Sequence, residues 1–131
     1  MKILAVDDNA LGRAWLREVL GPCTQEIVVA RNGDEAWSLL HGGLRPDVCV
    51  CDMHVPATGG LRLVERVRAD RTLDDLPFVL VSVTADCEDV RQAAARHACA
   101  YTLKPFLALQ ARSALAAAVL ASRRTRDAVP A

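Results

Sequence analysis

The stretch DVCVCDMHVPATGGLRLVERVRA, residues 47–69, changes its periodicity half-way along. Its first part, DVCVC (47–51), is a short apolar run of the kind found in a strand covered by helices on both faces. Its last part, GLRLVERVRA (60–69), places Leu61, Val64 and Val67 at helical spacing. Between them lies a loop punctuated by Pro56, Gly59 and Gly60, and at its entrance stands a lone carboxylate, Asp52. A buried carboxylate is costly unless something pairs with it. Asp52 therefore needs a structural partner, a metal or a reaction.

The same strand-then-helix unit recurs along the chain. KILAV (2–6) precedes LGRAWLREVL (11–20), where Leu11, Trp15, Leu16, Val19 and Leu20 share one face, and EIVVA (26–30) precedes DEAWSLL (34–40). PFVLVSV (77–83) precedes DCEDVRQAAAR (86–96), and AYTL (100–103) precedes LALQARSALAAAVLA (107–121). Five such units predict an α/β fold, a doubly wound five-stranded parallel sheet between two layers of helices. Residues 1–122 read as one domain, and 123–131 as a solvated C-terminal tail whose arginines complement a helix end. In the fifth helix, Leu115, Val119 and Leu120 are expected to face the sheet, with Ala114, Ala117, Ala118 and Ala121 partly outside.

Bulk composition excludes several classes. The 131 residues carry 16 basic and 16 acidic side chains, so net charge gives no reason to expect a nucleic-acid or membrane-surface partner. Apolar residues make up 52% of the chain, enough for a core without disulfides or structural metal. No apolar run reaches membrane-spanning length, and MKILAVDD turns acidic too early for a signal peptide, which predicts a cytoplasmic protein. Cys23, Cys49, Cys51, Cys87 and Cys99 lack paired zinc-ligand spacing and read as reduced thiols. Trp15 and Trp37 read as helix-face packing.

Ligands of open α/β sheets sit beyond the carboxyl ends of the strands, at the switch point. There the sequence places Asp7 and Asp8 after the first strand, Asp52 after the third, Ser82 to Thr84 at the fourth, and Lys104-Pro105 after the fifth. An Asp-Asp pair alone is often a helix cap and a Lys-Pro often a turn. Together, three carboxylates repel one another and suit a hard divalent cation such as Mg2+, while a lysine suits a phosphoryl oxygen. The set describes a station for accepting a phosphoryl group on Asp52.

The sequence resembles the receiver domains of two-component response regulators from residue 2 to about 121. Asp7 and Asp8 lie 45 and 44 residues before Asp52, Ser82 lies 30 after it, and Lys104 a further 22 on, all in the family's spacing; ARNGDEAW and YTLKPF are family-like as well. The resemblance implies a flavodoxin-like three-layer sandwich with five helices. It implies Asp52 as phosphoacceptor, Asp8 as a direct Mg2+ ligand, Asp7 as one through water, and the backbone carbonyl of His54 as the third protein ligand. Ser82 would be the switch hydroxyl, Lys104 would hold a phosphoryl oxygen beside a cis bond to Pro105, and Tyr101 would be the aromatic switch. The only chemistry implied is the chain's own phosphorylation and dephosphorylation. Expected partners are a sensor histidine kinase or phosphotransfer protein, a downstream protein, and a second copy on activation. With no output domain after residue 121, a stand-alone regulator is expected.

Departures from the family pattern accompany the matches. Val55 and Thr58 replace the usual methionines, Gly59 replaces a polar cap, and the Gly59-Gly60 pair should loosen the following helix, with Thr58 as a substitute cap. Val83 should narrow access to Asp52. His97 stands where glycine is usual and reads as structural; if the chain is left-handed there, His carries some strain but is among the tolerated types. Of the rival readings, a haloacid dehalogenase-type phosphatase needs a second Asp at position 54, where His stands. A flavin binder needs a hydroxyl-rich loop where DDNALGR offers carboxylates. A degenerate receiver serving only as an interaction module would have lost an acidic residue or the lysine, and none is lost.

Overall fold

The computed structural model describes residues 1–53, 60–82, 87–103, 110 and 112–120. Five parallel strands form one sheet: β1 (Lys2–Val6), β2 (Glu26–Ala30), β3 (Val48–Asp52), β4 (Phe78–Ser82) and β5 (Ala100–Leu103). Helices α1 (Ala10–Leu20), α2 (Gly33–His41), α3 (Gly60–Arg68) and α4 (Cys87–Arg96) alternate with them, and residues 112–120 form α5. The strand order is β2-β1-β3-β4-β5, so the chain reverses its winding between β1 and β3. That reversal opens the crevice predicted to hold the chemistry.

Alternation along the strands builds two cores. Leu4, Val6, Cys49, Cys51, Phe78 and Leu80 face α2, α3 and α4, whereas Ile3, Ala5, Val48, Val50, Val79 and Val81 face α1 and α5. Both sets are essentially fully buried, which is why these strands read as continuous apolar runs. Burial also holds the thiols: Cys49 and Cys51 are free and enclosed, and desolvation pushes both well above the ordinary thiol value. No helix among the described residues is long and apolar enough to cross a membrane.

Several expected faces are corrected. Leu11 is 81% exposed, and only Leu16 and Leu20 of α1 are buried, because the inner line of the helix runs through Gly12, Leu16 and Leu20, and Leu11 is turned away from it. Leu61 is exposed and Leu63 joins Val64 and Val67 inside. In α5, Ala114 and Ala118 are buried beside Leu115, while Leu120 is 52% exposed. Small side chains let this helix lie close against the sheet, so the alanines take the inner face. The left-handed residue after α4 is Ala98 (φ 55), one place beyond His97. Strand β3 runs one residue further than expected, so Asp52 closes the ladder opposite Val81.

One arginine ties the lower end of the molecule together. At the end of α3, Arg68 donates from Nε to the His97 carbonyl (2.8 Å) and from Nη1 to the carbonyls of Leu76 (2.6 Å) and Asp74 (3.0 Å). Its guanidinium also lies 5.3 Å from the centroid of the Phe78 ring.

Candidate functional site

The acidic cluster grows out of two strand ends and one helix start. Val6 pairs with Cys51 across β1 and β3, so Asp7 and Asp52 follow on neighbouring strands at the same rim. Asp7 is 1% exposed and Asp52 2%, while Asp8 is exposed. Carboxylate oxygens of all three lie within 4.8 Å of one another. At that separation each pair of charges repels by about 3 kcal/mol at an effective dielectric near 20. The Asp52 charge also helps to raise the Cys51 thiol, after burial itself.

Neither aspartate of the Asp7-Asp8 pair caps α1. Asn9 does, accepting the N–H groups of Leu11 (2.8 Å) and Gly12 (3.3 Å) on its side-chain oxygen. The carboxylates are thereby left for the cluster. The Asp7 Oδ1 accepts the Asn9 N–H at 2.9 Å, and Arg13 Nη1 donates to the Asp7 carbonyl at 3.0 Å. Asn9, Gly12 and Arg13 carry no role in the sequence reading; the signal available was an Asn directly before a helical run and a Gly inside it.

Ser82 is fully buried at the end of β4, beside the strand that ends in Asp52. It pairs with Leu103, the residue before Lys104. Tyr101 is 37% exposed on β5. At the other side of the cluster, Gly60 begins α3 in a space no side chain fits: a Cβ there would meet Met53 Sδ at 2.8 Å, the Asp52 carbonyl at 3.0 Å and Cys51 Sγ at 3.1 Å. The glycine therefore lets the start of α3 pack closely on the end of β3. His54, Val55, Thr58, Gly59, Val83, Thr84, Lys104 and Pro105 lie outside the described residues.

The sequence profile of the response regulator receiver domain matches residues 3–116. The chain belongs to that family. It is 33% identical over 107 residues to the chemotaxis protein CheY homolog of Campylobacter jejuni, covering 81% of this chain and 82% of that protein. It is 34% identical over 109 residues to the chemotaxis protein CheY of Pseudomonas aeruginosa, covering 82% and 87%. Among solved structures, a response regulator receiver domain protein from Clostridium thermocellum shares the fold with a TM-score of 0.80 at 19% identity, over 95% of this chain and 98% of that one. The bacteriophytochrome response regulator AtBRR aligns with a TM-score of 0.77 at 26% identity, over 89% and 91%. This receiver domain thus carries its acidic cluster at the sheet rim where the topology opens.

Proposed function

We propose that this receiver accepts a phosphoryl group on Asp52 from a phosphohistidine of a sensor kinase or phosphotransfer protein, and that the acyl phosphate switches a protein-interaction surface. The convergence of Asp7, Asp8 and Asp52 within 4.8 Å carries the reading. Three hard oxygen donors, two buried and one open to solvent, fit Mg2+. Asp8 and Asp52 would hold it directly, with Asp7 through water and the backbone carbonyl of His54 as a further ligand. When bound, the cation neutralises charge on the phosphoryl oxygens and on the carboxylates.

In the transfer, an Asp52 carboxylate oxygen attacks phosphorus while the bond from phosphorus to the donor's imidazole nitrogen breaks. The electron pair stays on that nitrogen. Lys104 would stabilise a phosphoryl oxygen, and the Ser82 hydroxyl would donate to another. Attack of water on phosphorus, with cleavage of its bond to the Asp52 oxygen, returns the carboxylate and releases inorganic phosphate, so the chain catalyses only its own phosphorylation and dephosphorylation. Residues 1–122 form the working unit of a cytoplasmic signalling protein, with 123–131 as a tail. Its altered face, around Tyr101 and the exposed side of α5, would bind a downstream protein or a second copy.

The test is chemical. With Mg2+ and acetyl phosphate, intact-mass spectra should show one added base-labile phosphoryl group, absent in Asp52→Asn. Equal labelling of the two proteins removes Asp52 from the role.

A further inference from the structure

Gly12 is the third residue of α1 and is half-buried. Helix propensity alone favours almost any other residue there. The structure supplies the reason for glycine: a Cβ at position 12 would stand 2.3 Å from Asp7 Oδ2, 2.8 Å from Oδ1 and 2.7 Å from Cγ. Non-bonded carbons approach to roughly 3.5 Å. The third of these distances decides what an added methyl would do. Turning the carboxylate about χ2 moves its oxygens but leaves Cγ in place, still in collision. Relief therefore needs a new χ1 for Asp7.

A new χ1 has consequences in a site this enclosed. Asp7 Oδ1 would leave the Asn9 N–H that it accepts at 2.9 Å. The backbone is held from following, because the Asp7 N–H donates to the Ala30 carbonyl (3.1 Å) and the Asp7 carbonyl accepts from Arg13 (3.0 Å). The carboxylate would then swing out of the group it forms with Asp8 and Asp52.

We propose that Gly12 is a positioning residue of the acidic cluster: the side chain missing from this turn of α1 sets where the Asp7 carboxylate stands, and through it the affinity of the receiver for a divalent cation. The second half rests on the reading of the cluster as a Mg2+ site. Gly12 touches no substrate; it acts through Asp7.

The experiment is a double-mutant cycle, with Gly12→Ala made in the natural chain and in Asp7→Ala, read in two ways. Urea denaturation without divalent cation comes first. The midpoint should fall on Gly12→Ala in the natural chain and rise in Asp7→Ala, where no carboxylate is met and alanine simply favours the helix. Should Gly12→Ala alone fail to fold, recovery of a folded protein by adding Asp7→Ala supports the same conclusion. Calorimetric titration with MgCl2, without phosphodonor, comes second. Gly12→Ala in the natural chain should weaken binding about tenfold, the scale on which groups that orient metal ligands act. A midpoint raised equally in both backgrounds would overturn the positioning role. An Mg2+ affinity unchanged by Gly12→Ala would overturn its link to the cation. If the natural chain itself takes up no Mg2+, the metal reading fails along with that link, while the cation-free cycle still decides whether Gly12 sets Asp7.

Discussion

The guanidinium of Arg91 lies over the ring of Tyr101, 5.8 Å from its centroid, and its Nε donates to the phenol oxygen at 3.2 Å. Arg91 comes from the middle of α4, and its Nη1 stands 3.9 Å from Glu88 one turn earlier. The helix therefore holds the aromatic ring of β5 from outside. Both partners are exposed, so the hold is worth only about 1 kcal/mol.

If Tyr101 is the switch proposed above, Arg91→Ala should release its ring toward the position adopted on phosphorylation. The chain contains one tyrosine, so ring-labelled tyrosine gives a single NMR resonance that reports this residue alone. That resonance should move part of the way to its acetyl-phosphate-treated position, a population shift of about fivefold for 1 kcal/mol. A resonance that stays in place would show that Arg91 does not hold the ring.

Mg2+ should raise the melting temperature by mass action, because the cation relieves repulsion among Asp7, Asp8 and Asp52 only in the native state. Asp8→Asn should blunt the rise. Thermal scans of both proteins across an MgCl2 series measure it; an identical response would place the cation elsewhere.

Ser82, enclosed at the end of β4, should couple the phosphoryl group to Tyr101. Thr84, outside the described residues, is the rival hydroxyl in the sequence. Ser82→Ala should leave labelling of Asp52 intact yet freeze the Tyr101 resonance. The opposite result, with Thr84→Ala freezing it instead, would move the switch by two residues.

Arg68 supports three carbonyls from two separate connections. Arg68→Ala leaves them without that donor, and a lost charged donor of this kind costs about 3 kcal/mol. Arg68→Lys should recover only part, since an ammonium cannot reproduce the planar fork. Denaturation midpoints of the three proteins measure both effects.

Cys49 and Cys51 should resist alkylation in the native protein at pH 8, because burial holds them as neutral thiols. Their folded values are raised, so this contribution to stability is complete below the unfolded thiol value of 9.0 and is lost as pH climbs beyond it. Stability measured from pH 8 to 11 should fall, and Cys49→Ala with Cys51→Ala should flatten the fall.

β1, β3 and β4 were legible in the sequence because they are buried on both faces and read as apolar runs; β2 and β5, at the margins, are only partly buried and were placed by the helical segments that follow them. Helix faces were less so. Hydrophobic spacing assigns the inner side to the larger residue, yet the room between α5 and the sheet selects Ala114 and Ala118 over Leu120. Leu11 is in step with Trp15 and Val19 but stands off the line of Gly12, Leu16 and Leu20 that faces inward. Spacing brought Asp7, Asp8 and Asp52 to one rim; it could not show that Asn9 frees the first two from capping. Arg68 left no trace, because its carbonyl partners at 74, 76 and 97 belong to backbone that any residue supplies.

The strand order has a mechanical consequence. β3, which ends in Asp52, is laced to β1 on one side and β4 on the other, whereas the four-residue β5 is bonded to β4 alone. Stiffness therefore falls from the middle of the sheet toward that margin. A change of charge at Asp52 arises on the central strand, two places in from either margin of the sheet. β2 is the other margin, separated from Asp52 by β1 just as β5 is by β4; what distinguishes the β5 side is Ser82 at the end of β4 and the exposed Tyr101 beyond it. β4, in turn, presents its terminal hydroxyl between the stiff centre and the yielding rim. The order of the strands gives the sheet a firm centre and two yielding margins, and Tyr101 lies on the margin that β4 joins to Asp52.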